Sequence, residues 1–154
     1  MRTAFIILIV VVTSAPLVPA ERVNAADKIP IVVKSAATGA GFTDPSKDRQ
    51  DSVKDLVKRL KDSDVVRVVE SDKDAVAAVE VLDRSTQREV NLFGAQNKSY
   101  LIVRLTAGEY STEFRGESSS SGIMKDYRGA AKSIVKQLEA WVKANHDRLS
   151  ALAK

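Results

Sequence analysis

No cysteine occurs in the 154 residues, which excludes a disulfide framework, thiolate metal sites and thiol chemistry together. Histidine occurs once, as His146, so the common zinc sites and Cys-His nucleophiles cannot be assembled. Aromatic residues are only 5% of the chain. Nucleic-acid binding needs basic residues gathered on one face with aromatics for stacking, whereas here they alternate with acids, as in Asp48-Arg49-Gln50-Asp51 and Lys58-Arg59-Leu60-Lys61-Asp62. No nucleic-acid partner is expected, and those runs read as solvated helix surface. Long apolar runs are also missing. The longest, Ala4–Val12, has nine residues, against about 20 for a membrane-spanning helix.

That apolar run follows Arg2 and leads through a polar, proline-containing stretch to small residues at Val18-Pro19-Ala20 and Val23-Asn24-Ala25. This is the pattern of a cleavable signal peptide over residues 1–25, with cleavage after Ala25. Export to a periplasm or the cell exterior is therefore expected, with no stable membrane span after cleavage. Removing Arg2, Glu21 and Arg22 lowers the net charge from +4 to +3. The remaining residues 26–154 suit a single α/β domain large enough to bury a core.

Within that domain Ile29 to Ser35 reads as a buried strand ended by Thr38-Gly39-Ala40-Gly41. Asp44-Pro45 is a helix start, and Val53, Leu56, Val57 and Leu60 form an apolar stripe at helical spacing. Val65 to Glu70 is β-branched, and Ala75 to Arg84 alternates, so each predicts a strand. Ser85 to Lys98 is polar and reads as a long connection or the frayed top of a hairpin. Tyr100–Thr106 and Glu109–Arg115 alternate on either side of Ala107-Gly108, a hairpin turn. Ser118 to Gly122 reads as a flexible loop, and a closing helix runs from near Met124 to about Asn145 or beyond. The fold expected is α+β: a two-layer sandwich of four to five mostly antiparallel strands with two helices on one face, in the order β-α-β-β-β-β-α.

The segment Asp72-Lys73-Asp74-Ala75-Val76-Ala77-Ala78-Val79-Glu80-Val81, then Tyr100-Leu101-Ile102-Val103-Arg104-Leu105, then an alanine-rich amphipathic closing helix, resembles the small periplasmic α/β domain of the TolB amino-terminal, LpoB and curli-secretion type. Ala78 and Glu80 stand where those domains often carry glycine, and the lipidation cysteine common among the LpoB-type activators is missing. The resemblance implies an exported, envelope-associated interaction domain and transfers no binding residue.

Candidate chemistry is sparse. His146, near the end of the closing helix, is expected as an exposed side chain favourable to the helix carboxy-terminal dipole. A Ser-His-Asp arrangement would have to draw on Ser118–Ser121, which lack nucleophile-elbow spacing. Gly39-Ala40-Gly41 reads as a turn rather than a phosphate loop, since Asp44 stands at the third glycine position. Asp62/Asp64 and Asp72/Asp74 lack the glycine and terminal glutamate of a calcium loop and read as turn and capping residues. Asn97-Lys98-Ser99 is a sequon expected to be a chance occurrence. No catalytic residue, cofactor or metal is expected.

What remains is surface. The sheet face away from the helices is expected to carry Arg67, Glu80, Tyr100, Ile102 and Arg104, with Glu113 and Arg115 if the last strand keeps register. These residues are either cross-strand charge pairs or a docking patch for an envelope or extracellular protein. The sequence thus predicts a non-enzymatic binding or assembly module, with a small hydrolase using serine and acid side chains as the alternative.

Overall fold

The computed structural model describes residues 28–36, 45–92, 94–121 and 125–153. The signal-peptide region, the Gly39-Ala40-Gly41 loop and Asp44 lie outside them. Five strands form one sheet in the order β2-β1-β3-β4-β5, with β1 at Ile29–Ser35, β2 at Val66–Val69, β3 at Ala77–Asn91, β4 at Gly94–Ala107 and β5 at Tyr110–Ser121. Helix α1 spans Pro45–Leu60, α2 Tyr127–Ala144 and α3 His146–Leu152. The α+β architecture and element order agree with the sequence reading. Strand β1 pairs in parallel with β2 and β3 over short ladders, while the antiparallel β3–β4 and β4–β5 ladders are much longer.

Side-chain periodicity sorts the two faces. Val79, Val81, Leu101, Val103 and Leu105 are buried beneath the helices, joined by Leu56 and Leu60 of α1 and Ile134, Leu138 and Val142 of α2. Fully burying each such side chain contributes roughly 1.5–3 kcal/mol. Helix α1 lies over β1 and its neighbours, and α2 over β4 and β5. Between β1 and α1 the Arg49 guanidinium donates to the Ala36 carbonyl. At the far end of the sheet, Gly108 takes φ 55° in the turn between β4 and β5, a conformation open to glycine at no steric cost.

Three expectations need correction. Ser85–Lys98 is not a loose connection: the β3–β4 ladder continues through Thr86↔Ser99 and Arg88↔Asn97 to Asn91↔Gly94. Thr86–Glu89 and Gln96–Lys98 are polar on both faces, which hid the strand period. Likewise Ser118–Ser121 is strand, paired with Ser99 through Gln96, because a neighbouring β4 is there to receive its backbone. Finally, α2 stops at Ala144 and a separate short helix begins at His146. His146 therefore stands at the start of a short second helix just past the carboxy-terminal end of α2, 3.8 Å from the Asp147 carboxylate.

A register shift between Val81 and Asp83 leaves Leu82 as the extra residue of a bulge. Before it, odd-numbered β3 residues face the helices. After it, even-numbered ones do, so Arg84 and Thr86 point toward α1 and α2.

Candidate functional site

The connection from β2 to β3 passes through a 3₁₀ turn at Asp72–Asp74, capped by Ser71. Asp72 accepts from Lys34 Nζ at 2.9 Å. Lys34 is paired in register with Glu80, so the turn crosses on the face opposite the long helices and shields Val32, which is 7% exposed. Hydrogen bonding to Asp72, aided by Glu80, holds the Lys34 ammonium above its ordinary pKa.

Beyond that turn, the open face of β3, β4 and β5 has no element packed over it among the described residues. One row of side chains crosses four strands with alternating sign: Lys34, Glu80, Arg104 and Glu113. Lys34 lies 3.7 Å from Glu80, and Arg104 reaches Glu113 at 2.7 Å. Cross-strand pairs of this kind are worth a few tenths of a kcal/mol to about 1 kcal/mol each. The next row holds Asp83, Ile102 and Arg115, and the one after it Ser85, Tyr100 and Glu117. The Arg115 guanidinium lies 4.4 Å from the Tyr100 ring centroid, a cation–π contact that leaves Tyr100 only 7% exposed.

Of the seven residues expected on this face, Glu80, Tyr100, Ile102, Arg104, Glu113 and Arg115 are brought together on β3–β5. Arg67 stands apart on the edge strand β2, paired with Pro30. Ile102 is half-buried beside Arg115, so Tyr100, Ile102 and Arg115 make a small amphipathic island next to a charged row.

A second concavity, about 950 Å³, opens between α1, the end of β5 and the start of α2, lined in part by Asp55, Arg84, Ser119, Lys125 and Asp126. Its chemistry is that of a helix cap. Asp126 caps α2 by accepting from the Gly129 N–H at 2.9 Å, and it accepts from Ser118 Oγ at 2.5 Å. The Ser118 hydroxyl and then the Gly129 N–H hold the Asp126 carboxyl below its ordinary pKa, which suits an anchor better than a base poised near neutrality. His146 belongs to the other end of α2, a helix about 27 Å long at 1.5 Å per residue, so the serine tract and the histidine do not meet. The sequon is likewise inward: Asn97 and Ser99 are buried, and Ser99 Oγ accepts from the Asp126 N–H at 3.0 Å.

Sequence reasoning missed two further features. Arg84 donates to the Asp48 carbonyl at 2.9 Å and to Ser52 Oγ at 3.3 Å, and stacks 3.9 Å from the Tyr127 ring centroid, tying β3 to both helices. Its inward direction depends on the bulge, which no periodicity announces. Gln137 of α2 donates to the Arg115 carbonyl on β5 at 2.9 Å, occupying an acceptor on the edge strand.

No family model matches the chain, and no curated protein does. Among solved structures, a hypothetical protein from Chlamydia trachomatis superposes with a TM-score of 0.50 at 16% identity, covering 77% of this chain and 99% of its own. The likeness is one of fold. The PelC dodecamer from Paraburkholderia phytofirmans gives a TM-score of 0.47 at 12% identity, covering 73% of this chain and 84% of that one. The uncharacterized lipoprotein B from Nitrosomonas europaea gives 0.34 at 12% identity, covering 82% and 81% respectively. No helix among the described residues is long and apolar enough to cross a membrane.

Proposed function

We propose that this protein is an exported binding or assembly module of the cell envelope, without catalytic activity, that docks a protein partner on the open face of β3–β5. The observation that carries the reading is the island formed by Arg115 lying over Tyr100 next to half-buried Ile102, beside the charged row of Glu80, Arg104 and Glu113. Tyrosine and arginine are favoured at interface centres, and Arg115 is held in place by the ring beneath it. Export rests on the signal-peptide pattern of residues 1–25, and the envelope setting on the resemblance to the TolB amino-terminal, LpoB and curli-secretion type. The hydrolase alternative is disfavoured because Ser118 is committed to the α2 cap and His146 lies at the opposite end of that helix.

The test is affinity capture from envelope extract with the mature chain, compared with the double variant Ile102→Lys/Arg104→Ala. Both changes are on the open face and leave Tyr100 in place. A saturable partner retained by the parent and lost by a variant with an unchanged unfolding midpoint supports the docking face. Equal capture by both places the contact elsewhere.

A further inference from the structure

The β3–β4 hairpin outruns the rest of the sheet. Strand β1 ends opposite Val81 and β5 ends opposite Gln96, while the hairpin continues through Val90↔Ala95 and Asn91↔Gly94 into its turn. Two ladder rows and the turn residue Leu92 stand clear of β5, a projection of about 10 Å at 3.4 Å per residue. On this apex Leu92 is 100% exposed and Val90 76%, the two most exposed large hydrophobic residues described. Turn positions favour Gly, Asn, Asp, Pro and Ser for backbone reasons, so neither turn chemistry nor core packing accounts for a leucine there.

The surroundings specify the occupant. Glu89 and Lys98 neutralise each other at 2.9 Å, which leaves Arg88 as the exposed cation just behind the apex, two residues and so about 7 Å back from Val90. Apolar groups at a bilayer interface bury about 5–10 Å into the headgroup and acyl boundary, with cations at the level of the phosphates. We infer that the β3–β4 apex is a membrane-contacting wedge, with Val90 and Leu92 entering the interface of an anionic bilayer and Arg88 meeting lipid phosphate. The contact is peripheral and separate from the docking face on β3–β5, so either can fail without the other.

The absence of cysteine allows a single environment-sensitive fluorophore to be placed on full-length Leu92→Cys, with Glu109→Cys in the β4–β5 turn at the other end of the sheet as reference. The vesicles are phosphatidylcholine with a minor share of phosphatidylglycerol. Because the chain also carries the apolar run Ala4–Val12, the readout is the local environment of the label and not binding as such. The expected result is a blue shift at position 92 and none at 109. Val90→Asp should abolish the shift, and Arg88→Glu should weaken the vesicle dependence about tenfold or more. A label at 92 that stays in water, or shifts no more than the label at 109, overturns the wedge and leaves the apex for an apolar groove on a protein.

Discussion

Gly116 of β5 lies directly beneath the backbone of Ala130 in α2: a methyl group on Gly116 would sit 2.2 Å from the Ala130 carbonyl oxygen and 2.7 Å from Ile134. The close approach of helix to edge strand therefore depends on a residue with no side chain. Gly116→Ala should force α2 away from β5 and cost about 2–3 kcal/mol, the upper part of the range for overpacking. Chemical denaturation checks this, and a loss below about 0.5 kcal/mol would mean that α2 is free to shift.

Asp126 should make stability pH-dependent. Its pKa is depressed in the folded state, so its contribution is present above the unfolded carboxyl value of about 3.9 and is lost as pH falls through the lower folded value. Asp126→Ala should cost about 1–2 kcal/mol at neutral pH through the lost cap. The gap between parent and variant should close on acidification below about pH 4. A gap independent of pH would show that the carboxylate charge is not what caps α2.

Two arginines of the sheet should behave differently. Arg84 has a side chain only 13% exposed and bridges β3, α1 and α2, whereas Arg104, 43% exposed, pairs with Glu113 at the surface. Arg84→Ala should cost about 2–3 kcal/mol, because buried acceptors and the Tyr127 ring lose their partner. Arg104→Ala should cost less than about 1 kcal/mol. Comparable losses in thermal melts would contradict the burial difference.

Gln137 protects an edge. Long edge strands invite pairing with other chains, and proteins blunt them. Gln137→Ala removes the donor from the Arg115 carbonyl with little effect on stability, and should raise concentration-dependent self-association in sedimentation velocity runs. A variant that stays as dispersed as the parent at all concentrations would assign the protection to the charged side chains of β5 alone.

Much of the fold was legible because burial left a period in the sequence. Leu101, Val103 and Leu105 alternate, and Leu56 and Leu60 recur at helical spacing, so the core and its covering helices could be placed. The outer hairpin was not legible, since Thr86–Glu89 and Gln96–Asn97 are polar on both faces and owe their strand conformation to backbone pairing. The same holds for Ser118–Ser121, where composition suggests a loop and a neighbouring strand decides otherwise. On the open face, alternation put Tyr100, Ile102 and Arg104 outward. It did not reveal that Arg115 lies over Tyr100, since that contact spans strands and rests on a diagonal neighbour. Gly116 and Gln137 left no trace, because each matters only through the distance between α2 and β5.

The bulge at Leu82 makes the inner and outer halves of β3 opposite in parity. Deleting that single residue would leave Val81, Asp83 and Arg84 paired with Val103, Ile102 and Leu101 in unbroken alternation, with Arg84 and Thr86 still under the helices, whereas a ladder that kept Leu82 and closed the bulge would turn the outer half over and send both to water. Removing one residue from the outer hairpin, beyond Arg88, would only shorten an arm. The facing of the outer half of β3 is thus set by the two-against-one pairing at the bulge and not by the Leu82 side chain, which is only half-buried.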